Sequence, residues 1–251
     1  MEESEKVEGK NSVLEALRGK RRIEKILVAS EARKFGALKT IVDLARKKGI
    51  PVREVSRREI SRIAPSEHNQ GVVAFVSPYH YVMLEDLTQS RIEEKPYLFL
   101  TLDGVEDPRN FGALLRVAEA SGVDGVIIGK RRSTGVTATV VRTSAGAAEH
   151  VKIARVANVS NSLLKLKEEG IWIVGVEVGG SIPYYQVDYT KDTCVVLGGE
   201  GKGLRRLTAQ QCDVVVRIPM LGNVESLNVA TAGAVVLFEA ARQRASSTKP
   251  A

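Results

Sequence analysis

The chain is poor in the residues that staple small folds together. It has two cysteines in 251 residues, Cys194 and Cys212, and neither sits in a CxxC pair. A secreted disulfide framework is therefore not expected. Its three histidines, His68, His80 and His150, lie far apart without zinc-ligand spacing, so no structural metal is expected. No apolar run approaches the roughly 18 residues that a membrane span requires. The first residues, MEESEKVEGKNS, are polar and acidic, unlike a secretory or transit leader. No repeat or low-complexity segment occurs apart from the polar tail SSTKPA. These absences describe a cytoplasmic protein with no metal and no membrane partner.

Charge is present, and its distribution is uneven. The net charge is +7. Residues 1–80 carry 17 Lys/Arg against 11 Asp/Glu, whereas residues 81–251 carry 20 against 19. Two readings fit this excess. One is a solvated basic surface. The other is a nucleic-acid-binding module ahead of a near-neutral catalytic domain. Basic clusters recur at element ends: Lys20-Arg21-Arg22, Arg33-Lys34, Arg46-Lys47-Lys48 and Arg57-Arg58.

Hydrophobic patterning divides the chain into a small α/β domain (1–78), a linker (79–96) with Pro96 at its end, and a larger domain (97–251). In the first, Asn11-Ser12 is expected to cap the helix VLEALRGK. Strands are expected at 23–30, 51–55 and 71–76, and a helix at 37–49. From Tyr97 onward, short apolar strands alternate with helices, which predicts a parallel sheet covered on both faces.

Three stretches fall where a strand ends and a helix begins, the edge at which open α/β sheets bind ligands. In LDGVEDPRNFGALLRVAEASG (102–122), Asn110 lies near the helix start and Arg116 lies inside an apolar, small-residue helix. Such an arginine requires either an intrachain acid or an external anion. Asp103, Glu106 and Asp107 read as a solvated bend, since no second cluster completes a Mg²⁺ site. In VVLGGEGKGLRR (195–206), both the Walker A and the GxGxxG spacings fail, leaving a glycine-rich turn with one acid, Glu200. In RIPMLGNVESLNVATAGAVVLFEAARQR (217–244), Ser226 is expected to cap the last helix, with Asn228 two residues on. Capping does not explain Asn223 and Asn228 together; a binding loop does.

NFGALLR, GGEGKGL and IPM…SLNV resemble, in order and spacing, the three motifs of the SpoU (TrmH) family of RNA ribose 2′-O-methyltransferases. VEGKNSVLEAL and NQGVVAFVSP resemble that family's L30-like substrate-binding domain. The arrangement is similar to enzymes that methylate a guanosine ribose in 23S rRNA. One departure is His68-Asn69-Gln70-Gly71, where related rRNA enzymes often have an uninterrupted His-Gln-Gly.

The resemblance implies a small L30-like α/β domain followed by a SPOUT-type parallel-sheet domain with a trefoil knot, active as a homodimer. It implies S-adenosylmethionine as cofactor, held by Leu197, Gly198, Gly199, Ile218, Pro219, Met220, Ser226, Leu227 and Asn228. It makes Arg116, Asn110, Glu200, Ser226 and Asn228 the catalytic set. It places RNA on Arg116 and Ser144, with Gly146 nearby in TSAGA. Arg21 and Arg22, in the basic N-terminal third, are further expected RNA contacts. Either a perturbed Arg116 takes the hydroxyl proton, or its charge stabilises the developing alkoxide while another group takes it. The expected RNA is rRNA, with another rRNA nucleotide or tRNA as alternatives. Rival readings are a non-catalytic RNA-binding ribosome-assembly protein and a nucleotide-binding enzyme using the glycine-rich loop.

Overall fold

A computed structural model describes residues 4–30, 36–89, 95–201 and 203–247. The expected basic pair Arg33-Lys34, Lys202 of the glycine-rich turn and the end of the tail lie outside the described residues. In chain order the elements are β1 (Glu5–Glu8), α1 (Lys10–Arg18), β2 (Ile23–Ala29), α2 (Gly36–Lys47), β3 (Val52–Val55), α3 (Arg57–Ile63), β4 (Val72–Val76), α4 (Leu84–Thr88), β5 (Leu98–Asp103), α5 (Pro108–Ala120) and β6 (Gly125–Gly129). Then follow α6 (Ala138–Thr143), β7 (Ile153–Val156), α7 (Val159–Glu168), β8 (Trp172–Val176), β9 (Ile182–Pro183), β10 (Thr193–Gly198), α8 (Arg206–Ala209), β11 (Val214–Arg217) and α9 (Val229–Ser247). Among the described residues no helix is long and apolar enough to cross a membrane.

The chain divides into two compact units, residues 1–80 with 135–150, and residues 81–134 with 151–251. The first unit carries a four-stranded sheet in the order β1-β4-β2-β3, with only β2 and β3 parallel. Strand β1, Glu5-Lys6-Val7-Glu8, lies in a stretch with no apolar run to announce it. Helix α1 begins at Lys10, behind Gly9 at φ 87, so Asn11 and Ser12 lie inside the helix and do not cap it. Ser12 is buried and its hydroxyl donates to the Val141 carbonyl. In the His68–Gly71 turn, Asn69 is buried; its Oδ1 accepts from the Gly71 amide at 3.0 Å. The additional residue thus closes a turn ahead of β4.

Segment 135–150, placed by sequence with the second domain, belongs to the first unit. Val140 and Val141 of α6 are buried. Arg142 Nη1 lies 2.9 Å from Glu8 Oε1, and Arg21 Nη1 lies 3.1 Å from Glu149 Oε1. These pairs join positions more than 120 residues apart, which no local pattern foretells.

The second unit carries a seven-stranded sheet in the order β7-β6-β5-β10-β8-β11-β9, and every pair is parallel. β10 enters between β5 and β8, and β11 enters between β8 and β9. All six residues of β5 are buried, including Thr101 and Asp103, as suits a central strand covered on both faces. Helix α9 approaches α5 and β10 closely: a Cβ on Gly233 would stand 2.5 Å from Leu114 Cδ2 and 2.9 Å from Leu197 Cδ1. The small residues of this helix therefore serve close packing.

Candidate active site

The three motifs meet at the C-terminal edge of the parallel sheet. β5 and β10 run in register, so Gly198 stands opposite Asp103. The Gly199 amide donates to the Asp103 carbonyl at 2.9 Å, and Gly199 pairs with Gly203 in an antiparallel bridge. A Cβ on Gly198 would lie 2.1 Å from the Gly203 carbonyl carbon, and one on Gly199 would lie 2.2 Å from the Gly104 oxygen. Backbone meets backbone there, so only glycine fits. The glycine-rich turn is thus a folded-back loop, which explains why it obeys neither nucleotide-binding spacing.

The third motif leaves β11 through Arg217, whose Nη1 donates to the Gly180 and Ser181 carbonyls, both at 2.9 Å. Residues 221–228 are all exposed. The last helix begins two residues later than a Ser226 cap implies. Asn228 is its cap: Oδ1 accepts from the Ala230 amide at 2.9 Å, and the Asn228 carbonyl accepts from the Ala232 amide. Ser226 is therefore free of a capping task. The remaining group of Asn228, Nδ2, donates to Asn110 Oδ1 at 3.0 Å. Asn110 is held in the first turn of α5, which Pro108 opens and Asp107 caps through the Arg109 amide at 2.6 Å.

These loops enclose an open cleft of about 840 Å³. Leu197, Gly198, Gly199, Ile218, Met220, Ser226, Leu227 and Asn228 line it, as does Glu200. Pro219 does not: it is exposed, while Ile218 and Met220 on either side turn inward. Sequence reasoning missed the end of β8, where Val176, Glu177, Val178 and Gly179 form another wall. The signal was available, since VEVGGS also ends an apolar strand in a glycine turn. A Cβ on Gly203 would stand 2.3 Å from Glu177 Oε1, so that carboxylate lies against the glycine-rich loop. Gly201, Gly203, Glu225, Val229 and Ala232 also line the cleft and were not expected there. The described lining includes three acids, Glu177, Glu200 and Glu225, and no lysine or arginine.

Arg116 lies on α5, exposed and outside the lining of this cleft. Among the described residues it makes no hydrogen bond or ion pair, so the intrachain salt-bridge reading finds no support. Two expected RNA contacts are corrected by burial. The Arg21 side chain is 8% exposed and bonds Glu5, Glu149 and the Ser77 carbonyl, as an internal strut of the first unit. Ser144 is buried, with its hydroxyl donating to the Val141 carbonyl at 3.0 Å. Arg22 is exposed.

The cysteines offer no nucleophile. Burial pushes the Cys194 thiol up to about 12, against a hydrogen bond with Thr101 that favours the thiolate. Burial does the same to Cys212, again to about 12.

Comparison with known proteins agrees with this arrangement. The SpoU rRNA Methylase family matches residues 97–238, and the RNA 2′-O ribose methyltransferase substrate-binding family matches residues 6–82. A Pseudomonas syringae pv. tomato protein named 23S rRNA (guanosine-2′-O-)-methyltransferase RlmB is 41% identical over 100% of both chains. A Mycobacterium marinum protein named an uncharacterized tRNA/rRNA methyltransferase is also 41% identical, over 97% of this chain and 78% of that one. The crystal structure of an AdoMet-bound rRNA methyltransferase from Sinorhizobium meliloti superposes with a TM-score of 0.78 at 27% identity, covering 96% of this chain and 87% of that chain. A SpoU-type parallel sheet, a small α/β substrate-binding unit and a three-loop cleft meet in one chain: the protein belongs to the SpoU family of S-adenosylmethionine-dependent RNA 2′-O-methyltransferases.

Proposed function

We propose that the protein methylates the ribose 2′-hydroxyl of a guanosine in 23S rRNA, in the cytoplasm and as a homodimer. The observation that carries this reading is the end-to-end 41% identity with the Pseudomonas enzyme named for that reaction.

The cleft fits the cofactor by chemistry. Its apolar wall of Leu197, Ile218, Met220 and Leu227 suits an adenosyl group, and its three acids suit a cationic sulfonium. When bound, S-adenosylmethionine supplies a methyl group already activated by the positive sulfur. The chain has to position the ribose oxygen in line with that methyl and assist loss of its proton. Asn228 and Asn110, locked together, hold the cleft side of α5 and α9 in fixed relation. Ser226 and Glu200 present a hydroxyl and a carboxylate at the mouth. Arg116 supplies positive charge for the developing alkoxide.

Arg116 stands outside its own cleft, which supports a dimer in which a second copy brings this arginine to the reaction. Exposed Leu221, Val224 and Phe238 supply apolar surface for such a contact. The trefoil knot is part of the same reading; the two late strand insertions and the close approach at Gly233 support it.

Relatives named for both tRNA and rRNA make tRNA the competing substrate. The test is to map 2′-O-methylated positions in rRNA and tRNA from cells with and without the gene. The reading predicts one 23S guanosine losing its methyl group. Loss at a tRNA position instead, or no loss anywhere, overturns it. Sedimentation of the purified protein at micromolar concentration should give a dimer; a monomer contradicts the shared-site proposal.

A further inference from the structure

A second depression on the catalytic unit is lined by four arginines. Arg131 and Arg132 follow the end of β6, and Arg205 and Arg206 precede and open α8. The cavity measures about 410 Å³ and includes Asn158 and Ser160 at the start of α7. Its only described acid is Asp103, so the lining carries four positive charges against one negative. Among the described residues Arg131, Arg132 and Arg206 have no carboxylate partner.

Asp103 has a different task. Its side chain is fully buried; Oδ2 accepts from the Arg205 amide at 3.1 Å, and Oδ1 lies 3.3 Å from Arg205 Nη1. The acid thus orients Arg205 and leaves the others unneutralised. Arg132 is held at φ 53, a left-handed conformation disfavoured for any residue with a Cβ. Like charges brought together without counter-charges are unfavourable unless an anion joins them. Planar guanidinium groups suit a phosphate in particular, because they donate in pairs.

The location says which anion. A third depression of about 610 Å³ shares Gly199, Glu200 and Gly203 with the cofactor cleft, and shares Asp103, Arg132 and Arg205 with the arginine cavity. The shared residues place the arginine cavity next to the cofactor cleft, and the depression between them also carries Glu106 and Asp107, so positive charge is concentrated at the arginine end. An RNA strand whose ribose reaches the cofactor cleft has phosphodiesters on both sides of it, and the adjoining arginine cavity is a basic place for one of them.

We propose that Arg131, Arg132, Arg205 and Arg206 form a phosphate-binding subsite for the acceptor RNA strand, beside the nucleotide being methylated. This rests on the RNA-methyltransferase reading and adds to it: the catalytic unit grips the backbone itself, in addition to any capture by the basic first unit.

The test uses full-length protein with Arg131 and Arg206 both changed to alanine, and a parallel variant with both changed to lysine. Arg205 is left intact because it pairs with Asp103. Binding of S-adenosylmethionine by calorimetry reports that each variant is folded. Binding to deproteinised 23S rRNA is then measured across a salt series, with methyl transfer from labelled cofactor. The alanine variant should bind cofactor as the wild type does and show a salt slope shallower by roughly one unit per charge removed. Its KM for RNA should rise ~10-fold or more while kcat at saturating RNA is retained. The lysine variant should keep most of the slope, since it keeps the charge.

An unchanged slope and KM in a cofactor-binding alanine variant overturns the subsite while wild-type methylation upholds the broader reading. A wild type that neither binds nor methylates RNA overturns both. Inorganic phosphate is the control ligand: if the alanine variant loses phosphate binding but keeps its RNA slope, the cavity is a small-anion site and the proposal fails.

Discussion

Asn228 joins two helices through one side chain: Oδ1 caps α9 at the Ala230 amide, and Nδ2 donates to Asn110 Oδ1 on α5 at 3.0 Å. The two motifs that contain these asparagines are 118 residues apart in sequence. Replacing Asn228 by Ala removes the cap and the bridge, and should cost about 1–2 kcal/mol of stability. Ser at this position keeps a cap acceptor and is too short to bridge to Asn110, so it should recover most of the stability but less of the methyl transfer. Urea denaturation and turnover measured on both variants check the separation. Wild-type turnover in the variant that keeps the cap and lacks the bridge would remove the bridge from the catalytic account.

The glycine-rich loop predicts two unequal substitutions. Gly199→Ala drives a methyl to 2.2 Å from the Gly104 carbonyl oxygen, so the loop must move and cofactor binding should be lost. Gly201 has φ 72 and nothing within 4 Å of its missing Cβ, so Gly201→Ala should cost only about 1 kcal/mol of backbone strain. Calorimetric titration with S-adenosylmethionine distinguishes them; comparable affinities would contradict the close-approach explanation.

Arg116 lies outside the cleft of its own chain. Arg116→Ala should therefore bind S-adenosylmethionine with wild-type affinity and transfer methyl groups at least ~100-fold more slowly, the scale of losing one charge-stabilising group. Near-normal turnover would sink its proposed role.

Glu149 gives the first unit a pH dependence. Its side chain is fully buried, and Oε2 lacks a hydrogen-bond partner among the described residues. Burial raises its carboxyl above the ordinary 4.5, against the opposing attraction of Arg21. Because the folded value exceeds the unfolded one, this contribution to stability is fully present below pH 4.5 and is lost as pH rises through the raised value. Glu149→Gln should flatten the decline of stability above pH 4.5. Urea midpoints measured at a series of pH values should show the difference, and coincident profiles would remove Glu149 from the explanation.

Much of the site is legible in local sequence because strand ends and glycine turns are local features. Leu197 to Gly199, Ile218, Met220, and Ser226 to Asn228 all reach the cleft. The misses share a physical cause. Pro219 is exposed between two lining residues, a matter of local chain path that composition does not carry. Ser226 looks like a helix cap, but Asn228 has the geometry, since both residue types are good caps and only the backbone selects one. Arg21 and Ser144 look available for RNA, yet their partners, Glu149 and Val141 among them, come from the chain's return to the first unit at 135–150.

The sequence by itself determined the alternation of apolar strands and helices, the charge excess of the first third, and the residue types at three strand-to-helix junctions. Those follow from periodicity, turn chemistry and charge, which act over a few residues. Tertiary structure decided which of those junctions share a cleft, why the glycines must be glycines, which arginines are internal struts, and which four line a common cavity. Each of these depends on backbones or charges brought close from distant positions, such as Gly199 against Gly104 and Arg132 beside Arg205. The order β5-β10-β8-β11 makes those encounters, by inserting late strands between early ones, and no local pattern encodes an insertion.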